Sequence, residues 1–244
     1  MKFRCERDAL VEQLGTASRA VSSRGGALPV LTGIHLKANE DVLTMTGSDL
    51  EITVKASVPV AVSEPGEAVL PSRIAVDIIR SLDSGAIEVE VTGEEAKISG
   101  GRSQFSVRTL PVDDFPSLSD PTGDEVTVAT SDLAAGLKQV VRAASGDDAR
   151  PILTGVLMSA EDGGLRLVAT DSYRLAVRDL PEATVLSEGQ KVLVPSRALD
   201  ELGRVLGDSE EVTVRLGERE VSFDVVIDDG EVQVTTRLIE GEFP

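Results

Sequence analysis

The chain is written twice. Pro29-Val30-Leu31-Thr32-Gly33-Ile34 returns as Pro151-Ile152-Leu153-Thr154-Gly155-Val156, 122 residues later. Ser48-Asp49 returns as Thr170-Asp171 at the same offset of 122, and Leu70-Pro71-Ser72-Arg73 as Val194-Pro195-Ser196-Arg197 at 124. Asp113-Asp114-Phe115-Pro116 is echoed by Glu240-Gly241-Glu242-Phe243-Pro244, about 128 residues on. An offset that grows along the chain means two copies of one unit, the second slightly longer in its loops. The repeat therefore predicts two like domains, 1–119 and 120–244, each long enough to bury its own core.

Periodicity gives the content of each copy. Residues 1–6 alternate apolar and polar side chains as a strand does. Asp8 can cap a helix running to about Val21, with Leu10, Leu14, Ala17 and Val21 on one face. Runs rich in Val, Ile and Thr predict strands at 33–39, 42–47 and 50–62, with Pro65-Gly66 as a turn. Ser72 then caps a second helix with Ile74, Ile78, Ile79 and Leu82 inward, and strands follow near 87–92, 96–99 and 104–110. Copy two repeats the series. Its helices begin near Asp132 and after Ser196, and its strands lie near 125–130, 155–159, 165–169, 173–180, 191–194, 212–216, 220–226 and 232–238. The fold class is α+β, a tandem of two domains, each with two short helices packed on strand-rich antiparallel sheets.

Aromatic residues make up 2% of the chain and Trp is absent, so these cores are built from Val, Leu, Ile and Ala. The single cysteine, Cys5, cannot form an internal disulfide; its place in an alternating strand suits a buried structural thiol and a reducing cytoplasm. No apolar run is long enough to span a bilayer, and the first residues lack a secretory signal.

The net charge of −18 argues against simple attraction to nucleic acid, but the average conceals a pattern. At 100° per residue, Arg73 and Arg80 share a helix face opposite Ile78 and Leu82, and Arg197 and Arg204 do the same opposite Leu199 and Leu206. Arg19 is matched by Arg142, and Lys138 stands one turn before Arg142. The four helical stretches, with the loop bearing Arg24, hold nine Lys or Arg against six Asp or Glu, a balance of +3 that leaves −21 for the remainder. A single exposed Arg is ordinary solvation. A recurring exposed cation needs another cause, and two domains presenting equivalent cations to one anionic surface supply it.

Several motifs together then identify a resemblance. Leu28-Pro29-Val30-Leu31-Thr32-Gly33, Thr170-Asp171-Ser172-Tyr173-Arg174-Leu175-Ala176-Val177, Val194-Pro195-Ser196-Arg197 and Arg237-Leu238-Ile239-Glu240-Gly241-Glu242-Phe243-Pro244 closely resemble, in order and along the whole chain, the bacterial DNA sliding clamp family. The resemblance implies DNA-clamp-like domains in a homo-oligomeric ring, with helices lining a hole through which duplex DNA passes. On that reading Arg19, Arg24, Arg73, Arg80, Lys138, Arg142, Arg197 and Arg204 contact phosphates without sequence preference. It further implies a cleft for short peptide motifs of the polymerase and the clamp loader, at Leu153, Thr170, Ser172, Tyr173, Arg174, Leu175 and Pro244. Tyr173 and Arg174 fall opposite Glu51 and Ile52, so that feature is private to copy two, whereas Asp171 and Asp49 read as a shared turn residue. Family protomers have three domains; the third is missing from this chain, which is expected to be a fragment or truncated product.

Catalysis is the rival class. His35, the only histidine, has no nucleophile beside it and reads as surface or structural. The pairs Asp113-Asp114, Asp147-Asp148 and Asp228-Asp229 sit in expected loops, and no phosphate-binding loop, HExxH or CxxC is present. The chain is therefore expected to be non-catalytic, with no cofactor and no metal. A protein-interaction module that binds partner peptides without encircling DNA is the alternative.

Overall fold

The computed structural model describes residues 1–22, 28–118, 120–207, 209–228 and 230–244. It divides into two compact units, Met1–Ser119 with Asp228–Val232, and Asp120–Ile227 with Gln233–Pro244.

In the first unit, β1 (Lys2–Glu6) leads into α1 (Arg7–Ser18), and then come β2 (Gly33–Asn39), β3 (Val42–Ser48), β4 (Ile52–Pro59), β5 (Ala61–Glu64) and β6 (Gly66–Pro71). After α2 (Ser72–Ser81) the chain forms β7 (Ala86–Thr92), β8 (Glu95–Gly100) and β9 (Ser103–Arg108). Strands β5-β1-β7-β8-β9 make one antiparallel sheet, and β4-β3-β2-β6 lie side by side in another. The single strand expected over 50–62 is two strands in different sheets. The alternation is continuous in sequence, but the chain crosses from one sheet to the other between Pro59 and Ala61. Strand β6 was not expected in copy one, although its twin at 191–194 was.

Helices α1 and α2 pack on each other and enclose a core with Phe3, Leu10, Leu14, Ile34, Leu43, Met45, Ile79, Ile87 and Ile98, all nearly inaccessible. Each such side chain contributes roughly 1.5–3 kcal/mol on burial. Neither expected cap forms. Helix α1 starts at Arg7 after Glu6 and α2 at Ser72 after Pro71, and neither end carries a side-chain cap hydrogen bond. Packing against the sheets holds these starts instead. Ile74 is 52% exposed, and Ala75, Val76, Ile79 and Leu82 form the inner face of α2. Gly47 of β3 lets α1 approach closely, since a Cβ there would fall on the Ala17 carbonyl.

The second unit comprises β10 (Glu125–Ala129), α3 (Thr130–Val140), β11 (Gly155–Glu161), β12 (Gly164–Thr170), β13 (Leu175–Leu180), β14 (Lys191–Pro195), α4 (Ser196–Val205), β15 (Glu211–Leu216), β16 (Glu220–Ile227) and, from Gln233 on, β17 (Gly230–Arg237). Its strands run β10-β15-β16-β17 and β13-β12-β11-β14, over a core of Leu133, Leu137, Val156, Leu167, Leu199, Leu202 and Phe223. The duplication reaches the backbone: Glu40 and Asp41 turn the β2–β3 hairpin at φ 48° and 63°, and Asp162 and Gly163 turn β11–β12 at 49° and 83°. Such positive pairs match the twist of a two-residue hairpin.

One equivalent pair is inverted in sign. Lys2 on β1 lies opposite Glu90 on β7, with an N–O distance of 3.3 Å. In copy two, Glu125 on β10 lies opposite Arg215 on β15, at 2.8 Å. Glu88 and Glu90 together raise the Lys2 ammonium above its ordinary pKa, through hydrogen bonds first and charge second.

Candidate functional site

The residues singled out from the sequence fall into two groups, taken unit by unit. The first is basic. Arg73 and Arg80 stand two turns apart on α2, both exposed, and neither has a carboxylate partner among the described residues. Arg80 is anchored through its backbone: its carbonyl accepts from Arg7 Nη1 at 3.4 Å, while Arg7 Nη2 donates to Ser84 Oγ at 2.8 Å. Arg19 is exposed just past the last turn of α1, where its N–H meets the Ala17 and Thr16 carbonyls. In the second unit Lys138 is exposed on α3, and Arg142 is exposed in the 3-10 turn Val141–Ala143 that replaces the expected end of that helix. Arg24 lies outside the described residues.

The equivalence of α2 and α4 holds for position and fails for charge. Arg204 is exposed as expected, but it donates to Asp200 Oδ2 at 2.7 Å and to Glu201 Oε1 at 3.1 Å. Arg197, also exposed, has an interaction partner of its own. On α4 the charge of Arg204 is therefore compensated within the helix. The carboxylates at i−4 and i−3 of Arg204 set α4 apart from α2.

The second surface surrounds the loop after β12. Asp171 Oδ1 accepts from the N–H groups of Tyr173 at 2.9 Å and Arg174 at 3.0 Å, and Oδ2 accepts from Arg174 Nε at 3.0 Å. These bonds, the Tyr173 N–H foremost, hold the Asp171 carboxyl below its usual range. Thr170 Oγ1 donates to the Arg174 carbonyl at 2.7 Å and accepts from Ser172 N–H at 3.1 Å. Copy one builds the same loop. There Asp49 Oδ1 accepts from Glu51 N–H at 3.1 Å and Ile52 N–H at 2.8 Å, and Ser48 Oγ takes the place of Thr170. Asp171 is thus a turn residue shared by both copies.

What the loop carries differs. Tyr173 is 94% exposed, so it does not pack on its own sheet. Leu175 and Val177, two residues apart on β13 and so on one face of that strand, are 66% and 50% exposed, and Tyr173 stands in the loop just before them. Val177 was missed from the sequence, although strand alternation from Leu175 would have found it. Arg150 was missed as well; its Nη1 donates to Ser172 Oγ at 3.2 Å and ties the loop to the 3-10 turn Pro151–Thr154. Leu153 within that turn is 8% exposed, so it lies beneath the surface rather than on it. Pro244 is exposed, and its segment is anchored earlier, where Ile239 N–H donates to the Leu193 carbonyl at 2.8 Å and Gly241 lies against Ile152.

Copy one has the equivalent anchor. Leu110 N–H donates to the Val69 carbonyl at 2.8 Å, and Val112 and Phe115 pack over Val30, Leu31 and Val69. His35 stacks on Phe115 with ring centroids 5.1 Å apart and meets Glu67 at 3.1 Å, which gives it a structural role. Glu67 also pairs with Lys37 at 3.1 Å, and that contact before all others lowers its pKa. Among the described residues, no group of three or more His, Cys, Asp or Glu is placed to hold a metal ion.

Comparison with known proteins agrees with this architecture. Residues 1–119 match the family described as DNA polymerase III beta subunit, N-terminal domain, and residues 127–244 match its central domain. The beta sliding clamp of Streptomyces coelicolor is 34% identical over 252 residues, and that of Staphylococcus aureus 35% over 255. Each alignment covers all of this chain, which spans 65% and 66% of those relatives' lengths. The crystal structures of the sliding clamps of Bacillus subtilis and of Pseudomonas aeruginosa bound to griselimycin each superpose with a TM-score of 0.90 at 32% identity, over 100% of this chain and 66% of theirs. The duplicated α+β unit, the shared turns and these matches have one explanation: the chain belongs to the family of the DNA polymerase III beta subunit, the beta sliding clamps.

Proposed function

We propose that the chain acts within a sliding clamp that surrounds duplex DNA and tethers the replicative polymerase to it. Its family is that of a non-catalytic polymerase subunit. The observation that carries the DNA part is α2, where Arg73 and Arg80 project from one exposed face and, among the described residues, neither is ion-paired to a carboxylate. Loose contacts from such side chains hold phosphates without reading bases, so the DNA stays inside and remains able to move. Lys138 and Arg142 extend the same chemistry, and Arg19, Arg197 and Arg204, each with an interaction of its own, add to it less strongly. Closure of a homo-oligomeric ring, and a cytoplasmic location, belong to the same reading; among the described residues no helix is long and apolar enough to cross a membrane.

Partner docking rests on Tyr173, Leu175 and Val177. An exposed apolar stripe with an aromatic anchor, on a loop braced by Asp171 and Arg150, suits a short peptide motif from a polymerase or clamp loader. That stripe also favours the second reading, a module that binds peptides without surrounding DNA.

Retention of the protein on nicked circular DNA, in the presence of a clamp loader, separates the two. Retention lost on linearisation supports encirclement, and Arg73→Glu with Arg80→Glu is expected to abolish it while the thermal melt is unchanged. Retention that survives linearisation or survives those substitutions refutes the encircling reading. Peptide binding without any retention favours the module.

A further inference from the structure

We infer that Asp200 and Glu201 form an electrostatic latch on Arg204, which weakens the phosphate contact of α4 relative to that of α2. The inference rests on the DNA reading proposed above and adds a difference between the copies that the repeat would not predict. Arg80 and Arg204 are equivalent, 124 residues apart and each in the last turn of its helix. The positions four and three residues earlier are Val76 and Asp77 in α2, against Asp200 and Glu201 in α4. Val76 is a core residue at 9% exposure, and Asp77 makes no ion pair among the described residues. Arg204 instead has its two terminal nitrogens committed, Nη2 to Asp200 at 2.7 Å and Nη1 to Glu201 at 3.1 Å.

The geometry suits a latch that opens. Arg204 and Asp200 are both about half exposed, with side-chain accessibilities of 54% and 53%. A carboxylate N-terminal to its cation at i,i+4 is the favourable helical orientation, yet a solvated pair of this kind holds only weakly. A phosphate oxygen meeting Arg204 must displace carboxylate oxygens already accepting from the same guanidinium. Part of the gain from the phosphate is thereby cancelled, and less counterion is released from the DNA per contact. The second copy then grips the duplex more loosely than the first without any loss of arginines.

The test measures affinity for a short fluorescein-labelled duplex by anisotropy across a salt series. Asp200→Asn with Glu201→Gln is compared with a charge-matched control, Asp77→Asn with Asp132→Asn, both exposed carboxylates on other helices. Opening the latch is expected to tighten binding by about fivefold and to steepen the salt dependence by about 0.9 in the log–log slope, more than the control does. In an Arg204→Gln background the gain is expected to vanish. A gain that persists without Arg204, or that the control equals, overturns the latch. Failure of the DNA reading itself is distinguishable, because then Arg73→Glu with Arg80→Glu leaves binding where it was. Matched thermal melts of all variants exclude unfolding as the cause.

Discussion

Leu50 and Ser172 hold the same left-handed backbone, φ 75° and 77°, at equivalent places in the two copies of one loop. A non-glycine residue there is strained, and the side-chain bonds from Asp49 and Asp171 over-determine it. Ser172→Val, which places a β-branched side chain in that conformation, is expected to cost roughly 1–2 kcal/mol. Ser172→Gly is expected to be neutral or slightly stabilising. Denaturant midpoints at constant slope check both.

The same loop should respond to acid. The Asp171 carboxyl has its pKa lowered below 3.8 in the folded chain. Its stabilising contribution is therefore fully present above that ordinary value and is lost as pH falls through the lowered one. The chain has one tyrosine and no tryptophan, so tyrosine emission, excited to the red of phenylalanine absorption, reports Tyr173 alone. Its anisotropy should fall at low pH before the far-ultraviolet signal of the sheets does, and Asp171→Ala should show the low anisotropy at neutral pH. Anisotropy that changes only together with global unfolding would contradict the assignment.

Cys5 should be silent toward thiol reagents. Burial pushes its pKa up to about 12, with Glu6 adding to the shift. The folded chain thus favours the neutral thiol, and the associated stability is complete below the ordinary 9.0 and is lost as pH rises from there toward 12. Labelling by a disulfide reagent at pH 8 is expected to proceed only through unfolding. Its rate should rise with denaturant in step with the unfolded population.

Gly47→Ala tests the closeness of α1 to β3. The added methyl meets the carbonyl of Ala17 and the side chain of Val21, and a backbone neighbour does not swing away as a side chain can. A loss of about 1–3 kcal/mol is expected, read as a lower midpoint in denaturant. Gly15→Ala on the same helix, with nothing within 4 Å of the new atom, should be neutral or stabilising.

Much of this was legible in the sequence because the repeat doubles every signal. The helices, most strands and the inward faces of α1, α3 and α4 follow from apolar spacing, and Asp171 follows from its twin at Asp49. The errors have local causes. Ser72 reads as a cap, yet Pro71 already ends β6 and the helix starts on Ser72 itself. Ile74 reads as core by composition, but it falls on the outer face beside Arg73, and Val76 takes the inward place. The burial of Leu153 and the bracing by Arg150 depend on contacts between segments, which periodicity does not report. The compensation of Arg204 was in view, since Asp200 and Glu201 stand at helical spacing from it. Counting charges over whole helices hid what a pairwise reading would have shown.

A chain that holds two versions of one domain must keep their strands from trading places as they fold. The inverted pairs disfavour this. Were β1 to settle against β15, Lys2 would face Arg215; were β10 to settle against β7, Glu125 would face Glu90. Each mismatched assembly sets like charges together where the correct one joins opposites, a bias of about 0.2–1 kcal/mol per pair toward the correct pairing.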